Sequence, residues 1–145
     1  MNKISGFRGE YFLYSNFYLR NVIYAGIRFL CNESAFQAMK CEDYEQREKF
    51  SNLDPSHAKR KGGRHGDIRL RSDWEQVKDQ IMYEIVKEKF LQNKDLKKKL
   101  EETGDAYLEE ENNWGDDYWG TVNGKGKNKL GKILMRVREE LSNVN

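Results

Sequence analysis

The stretch Ser72–Phe90, SDWEQVKDQIMYEIVKEKF, decides the fold. Trp74, Val77, Ile81 and Ile85 recur at intervals of three and four, with Met82 beside them and Phe90 continuing the stripe. A helix completes a turn every 3.6 residues, so this spacing puts them on one face. Ser72 followed by Glu75 has capping-box spacing at the start. The stretch predicts the longest helix of the chain, laid across the core.

Upstream, Asp54-Pro55 marks a helix start, with Asp as N-cap and Pro at the first helical position, and Gly62-Gly63 marks its end. An earlier helix is expected from Asn32 or Ser34 to beyond Lys40, opened by a Ser34/Gln37 capping box. Val22-Ile23-Tyr24 and Ile27-Arg28-Phe29 flank Ala25-Gly26 and predict a β-hairpin. Phe7–Phe12, interrupted by Gly9, is expected to be a short strand or irregular extended segment. Downstream, Leu96 and Leu100 share the face of a short helix that Gly104 ends, and Tyr107-Leu108 makes a brief strand. Asn112–Lys129 is too polar and Gly-rich for regular structure throughout. Leu130, Ile133, Leu134, Val137 and Leu141 make the last helix. The sum is one helix-rich α+β domain spanning 1–145 with a small antiparallel sheet, not a repeated strand–helix pattern.

Composition narrows the function classes. An apolar fraction of 37%, with seven Phe, eight Tyr and three Trp, suffices for a core and argues against wholesale disorder. No apolar run approaches the roughly 20 residues of a membrane-spanning helix, and Met1-Asn2-Lys3-Ile4 opens no apolar targeting segment, so no membrane partner is expected. Cys31 and Cys41 are too few for a disulfide scaffold, and reduced thiols in the cytoplasm are the simpler reading. Their spacing with His57 and His65 matches no zinc pattern, so neither a metal nor a cofactor is expected. The net charge of +2 is small, but its distribution is uneven. Lys59, Arg60, Lys61, Arg64, Arg69 and Arg71 face only Asp67 within 59–71, whereas 101–117 holds eight acids and no Lys or Arg. The basic run suits a phosphorylated metabolite, a nucleotide or a nucleic-acid end, and equally a solvated face.

Two constellations could carry chemistry. Glu33, Gln37 and Lys40, at i, i+4 and i+7, share a helix face among apolar Ala35, Phe36, Ala38 and Met39. Partial burial there would favour the neutral, nucleophilic form of the amine; ordinary charge contacts on a surface helix have the same spacing. Asn112, Trp114, Asp116, Asp117, Tyr118 and Trp119 combine rings that can stack on a base with groups that can orient water or ribose hydroxyls. The same aromatics could simply pin the loop to the core. Arg64, Arg69 and Arg71 lie among Gly62, Gly63 and Gly66, which leaves donors free for phosphate or for surface carboxylates. Gly120–Gly126 imitates a phosphate loop but has the wrong glycine spacing and no preceding strand. Asn128 is expected to cap the final helix, and Cys41 to pack.

The order of motifs says more than any one of them. Phe7-Arg8-Gly9-Glu10-Tyr11-Phe12-Leu13-Tyr14-Ser15-Asn16-Phe17, Glu33-Ser34-Ala35-Phe36-Gln37-Ala38-Met39-Lys40, Gly63-Arg64 and Arg71-Ser72-Asp73-Trp74 come first. Lys89-Phe90-Leu91-Gln92-Asn93, Asp117-Tyr118-Trp119-Gly120 and Gly126-Lys127-Asn128-Lys129-Leu130-Gly131 follow. Over roughly residues 7–141 the chain resembles the NADAR family, also called YbiA-like or DUF1768 proteins. The resemblance implies an α+β glycosidase fold and cleavage of N-glycosidic bonds in phosphoribosyl or ADP-ribosyl compounds. It assigns the nucleophilic amine to Lys40, ribose binding and proton transfer to Glu33, and the orientation of ribose or water to Asp117. Gln37 would hold the local geometry, Trp114 and Trp119 would bound the base, and Arg64, Arg71 and Asn128 complete the substrate-binding set.

The expected substrate is a phosphorylated ribosyl small molecule: a phosphoribosyl aminopyrimidine intermediate of riboflavin biosynthesis, cleaved at C1′–N to release ribose 5-phosphate. The alternatives are removal of ADP-ribose from guanine in ADP-ribosylated DNA, and a nonenzymatic module binding ADP-ribose or phosphorylated metabolites.

Overall fold

The computed structural model describes residues 2–142, so the extremes of the expected 1–145 domain lie outside the described residues. In chain order the elements are β1 (Lys3–Ser5), a 3-10 turn (Gly9–Tyr14), β2 (Val22–Tyr24), β3 (Ile27–Phe29) and α1 (Asn32–Ala38). Then come α2 (Tyr44–Glu48), α3 (Pro55–Lys61), α4 (Trp74–Gln92), α5 (Lys94–Glu102), β4 (Tyr107–Glu109) and α6 (Lys129–Ser142). The class is α+β, as expected. The chain gathers into two units: residues 16–92 form one, and the segments on either side form the other.

In the 16–92 unit, β2 and β3 pair antiparallel with Val22 opposite Phe29 and Tyr24 opposite Ile27. Ala25 (φ 52°) and Gly26 (φ 79°) both take the left-handed conformation that a two-residue turn needs to match strand twist. Val22, Ile27 and Phe29 are buried while Ile23 and Arg28 are exposed, the period of two that a one-sided ribbon requires. Helix α1 is surrounded by α2, α3, α4 and the hairpin, so all seven of its residues are buried, polar ones included. It starts at Asn32, as expected, but without the expected cap. Ser34 Oγ donates to the Leu53 carbonyl and Gln37 turns to Glu33, so no capping box forms; Cys31 stands at the N-cap, its thiol 3.2 Å from Ser34 Oγ and capping no backbone amide. The helix also stops at Ala38. The Lys40 amide donates to the Gln37 carbonyl, an i−3 bond that tightens the last turn.

Helix α3 begins as its sequence dictates: Asp54 Oδ1 accepts the His57 amide at 2.8 Å, and Pro55 follows the cap. Helix α4 is the longest element, but the Asp73 carbonyl, not Ser72, takes the amides of its first turn. It buries Tyr83, Val86 and Lys89 as well as the expected stripe, of which Val77 alone is only half-buried. Each large apolar side chain fully buried here, such as Phe29, Phe50, Ile85 or Phe90, contributes about 1.5–3 kcal/mol.

In the other unit, β1 and β4 pair parallel, Ile4 opposite Leu108, so the expected antiparallel hairpin is accompanied by a parallel ribbon. Phe7–Phe12 is not extended; most of it lies in the 3-10 turn, whose Tyr14 packs edge-on to Phe7 with centroids 5.8 Å apart. Leu96 and Leu100 of α5 and Leu130, Leu134, Val137 and Leu141 of α6 are buried, as their spacing requires. Gly131 lets α6 close on β4: a Cβ there would overlap the Leu108 carbonyl.

Candidate active site

Helix α1 presents the expected carboxylate and amide in contact. Gln37 Nε2 donates to Glu33 Oε2 at 2.6 Å, with both residues buried, and the Glu33 amide is anchored by the Asn16 carbonyl at 3.0 Å. Lys40 lies just beyond the helix end and is half-buried. Its Nζ donates to the Gly62 carbonyl at 2.9 Å and sits 5.9 Å from the centre of the Trp74 ring. Trp74 is held by Phe36, with ring centroids 5.0 Å apart. Burial pushes the Lys40 amine below the ordinary lysine pKa. Glu33 and Cys41 oppose that change, and Lys78 and Lys59 add to it. A lysine so placed holds a larger neutral fraction than one in water, which is the form that attacks carbon.

The basic segment divides in two. Arg71 is anchored at each guanidinium nitrogen: Nε and the Nη2 nitrogen grip both Asp73 oxygens at 2.6 and 3.0 Å, Nη1 donates to the Met39 carbonyl at 3.3 Å, and its amide donates to the Lys40 carbonyl at 2.9 Å. It therefore pins the backbone that carries Lys40. Arg64 is exposed and, among the described residues, forms no hydrogen bond or ion pair, so its donors are open to a phosphate.

The aromatic-acid segment belongs to the other unit, and its loop is organised by Asn112. That amide accepts from the amides of Trp114 and Asp116 and donates to the carbonyls of Asp116 and Thr121. Asp116 in turn accepts the amides of Tyr118 and Trp119 at 3.1 and 2.9 Å, which leaves Asp117 as the exposed acid. Trp119 is half-buried, edge-on to Tyr118 with centroids 4.9 Å apart, while Trp114 is 60% exposed. Asn128, buried, neither caps α6 with its side chain nor keeps an amide atom for a ligand. Oδ1 accepts the Glu110 amide at 3.0 Å, and Nδ2 donates to the Leu108 carbonyl and the Tyr107 hydroxyl. It ties α6 and its preceding loop to β4.

Thus Glu33, Gln37 and Lys40 are assembled in one unit, with Arg71 supporting them through the backbone. Asp117, Trp114, Trp119 and Asn128 belong to the other unit's loop. Three residues escaped the sequence reading. Gly62, taken as a helix stop, also supplies the acceptor for Lys40. Lys89 is buried on α4, and burial lowers its pKa to about 7. Glu110, hidden in a run of acids, is a buried carboxyl pushed up to about 7, chiefly by burial, against a 3.4 Å bond from the Phe7 amide and the charge of Arg8.

This architecture is that of the YbiA-like glycosidases. The NADAR domain model matches residues 6–142, and the chain belongs to the NADAR family. It is 37% identical over 134 residues to the N-glycosidase YbiA of Shigella flexneri, which covers 92% of this chain and 83% of that protein. The riboflavin biosynthesis protein VVA0006 of Vibrio vulnificus is 37% identical over 128 residues, 88% of this chain but 35% of that longer protein. The NMR structure of Escherichia coli YbiA superposes with a TM-score of 0.85 at 36% identity, covering 97% of this chain and 85% of that one. Among the described residues no helix is long and apolar enough to cross a membrane.

Proposed function

We propose that the chain is an N-glycosidase that hydrolyses the C1′–N bond of phosphoribosyl aminopyrimidine intermediates of riboflavin biosynthesis and releases ribose 5-phosphate. The observation that carries the reading is the half-buried Lys40 amine, its basicity lowered by burial, a shift opposed by the charge of the Glu33 carboxylate that Gln37 contacts. The names borne by YbiA and by the Vibrio protein support the reaction type and the substrate class.

In the covalent route the Lys40 lone pair forms a bond to C1′ as the C1′–N pair leaves with the base. The departing nitrogen takes a proton, for which Glu33 is the carrier, and the sugar-bound amine gives one up. Ring opening gives an imine at C1′. Water adds to that carbon, the amine is expelled, and ribose 5-phosphate leaves, so the net reaction consumes one water. The Glu33 carboxylate also stabilises positive character on the sugar as the bond stretches. Arg64 and Arg71 are the proposed phosphate contacts, and Arg71 also holds the Lys40 backbone. Asp117, orienting ribose or water, and Trp114 and Trp119, stacking on the base, are proposed from the family pattern, and Asp117→Asn and Trp119→Ala test them through kcat and KM.

Incubating the protein with the riboflavin intermediates should release ribose 5-phosphate. Absence of release by folded protein rejects this substrate. A second reading, ADP-ribosyl removal from guanine in DNA, draws on the exposed Lys59, Arg60, Arg64 and Arg69. A modified oligonucleotide restored to unmodified DNA, with no turnover of the riboflavin intermediates, would select it.

A further inference from the structure

Gly62 meets the active-site helix in two ways. Its carbonyl accepts Lys40 Nζ, and its Cα lies against Gln37. A Cβ at this position would stand 3.0 Å from Gln37 Cβ and 3.2 Å from Cδ, and inside contact distance of Oε1. Backbone conformation does not demand glycine here, since φ −89° and ψ 0° are open to other residues. The requirement is for space.

The Gln37 amide has one sensible orientation. Nε2 donates to Glu33, and a flipped amide would aim its oxygen at a carboxylate. Oε1 is thereby turned away, buried and without a hydrogen-bond partner, so no polar contact holds that end of the amide. Contact with the bare Gly62 Cα is what confines it. A methyl group there would move the flexible end of Gln37, and any such movement loosens the bond to Glu33. At the same time the Gly62 carbonyl takes one N–H of Lys40 and so limits the directions in which the lone pair of the neutral amine can point.

We infer that Gly62 is a positioning residue for the reacting amine: its carbonyl orients Lys40 while its missing side chain lets Gln37 seat against Glu33. This inference rests on Lys40 being the nucleophile. Its two halves are linked, because a single atom group at the end of α3 serves both the amine and the amide that holds the carboxylate.

The test compares Gly62→Ala, Gln37→Ala and the double variant with the wild type. The pKa of Lys40 is measured in each folded protein by competitive acetylation across pH, read by peptide mass spectrometry, and kcat and KM are measured separately. Gly62→Ala should raise the Lys40 pKa toward the ordinary lysine value, because the carboxylate is freed and water gains access to the amine. It should lower kcat by about tenfold or more with a smaller change in KM. Gln37→Ala should raise the pKa as well, and the double variant should match Gln37→Ala, since the added methyl then has room. An unchanged Lys40 pKa in Gly62→Ala, alongside a lower unfolding midpoint, would mean a purely structural glycine and overturn the inference. Additive effects in the double variant would also overturn it. Should Gly62→Ala not fold, the double variant against Gln37→Ala decides: a further rise in pKa refutes displacement of Gln37 as the cause. The acetylation needs no substrate, so a protein that turns over no glycoside would sink the N-glycosidase reading while Gly62 is still judged.

Discussion

Replacing Lys89 by Met should remove a specific slope from the pH dependence of stability. Lys89 is 2% exposed on α4, its Nζ 5.6 Å from the ring centres of Tyr18 and Phe90. Burial lowers its pKa from 10.5 to about 7; the neighbouring Cys31 opposes this and Arg20 assists it. In the unfolded chain the amine keeps its proton up to about pH 10.5. Between about pH 7 and 10.5 the unfolded state therefore binds a proton that the native state does not, and stability from this group rises with pH by up to about 1.4 kcal/mol per unit. Below pH 7 both states are protonated and the slope vanishes. From pH 7.5 to 9 the wild type should gain about 2 kcal/mol from Lys89 alone. Methionine has similar length and does not titrate, so the gain should be missing in Lys89→Met. Urea unfolding of both proteins at pH 7.5, 8.2 and 9 reads the difference directly, and groups common to both that do not interact with Lys89 cancel. A stability difference that is constant across this range would show that Lys89 does not change charge there.

Glu33→Gln should lower kcat by about 10²–10⁴-fold with substrate affinity largely kept, because the amide can still accept a hydrogen bond but cannot carry a proton; isothermal titration and steady-state kinetics separate the two. Glu110→Gln should stabilise the protein more at pH 7.5 than at pH 5. The wild-type carboxyl has its pKa raised by burial, so the native state holds a proton that the unfolded state loses between about 4.5 and 7, and stability falls as pH rises through that window. Thermal unfolding at the two pH values would contradict this if the difference were equal. Asn128→Ala removes the partners of the Glu110 amide and the Leu108 carbonyl, each worth about 1–3 kcal/mol when buried. The unfolding midpoint should drop; an unchanged KM of the folded protein would mark Asn128 as structural, and a selective rise in KM would support its place in the substrate-binding set.

The elements legible in the sequence were those with local causes. Helix α3 has its Asp cap and Pro, α4 and α6 their stripes, and the hairpin its two-residue turn. The parallel pairing of β1 with β4 had no such signal: each strand is three residues long, and their register joins positions more than a hundred residues apart. The end of α1 was also non-local. Ser34 bonds to Leu53 rather than capping, and Arg71 takes the Met39 and Lys40 carbonyls that a longer helix would have used. Within the candidate site, the Glu33–Gln37 contact followed from four-residue spacing, whereas the place of Lys40 depends on Gly62, brought in by tertiary packing. Lys89 and Glu110 were hidden for one reason: a charged letter in a charged run reads as surface, and only the fold shows that it is buried.

In the proposed reaction Lys40 attacks C1′ as an amine. Borohydride added during turnover of a phosphoribosyl aminopyrimidine should reduce the imine and leave a pentose phosphate fixed to the Lys40 peptide, found by mass spectrometry and missing from Lys40→Ala. Turnover that proceeds with no adduct on Lys40, or at an undiminished rate in Lys40→Ala, would contradict it.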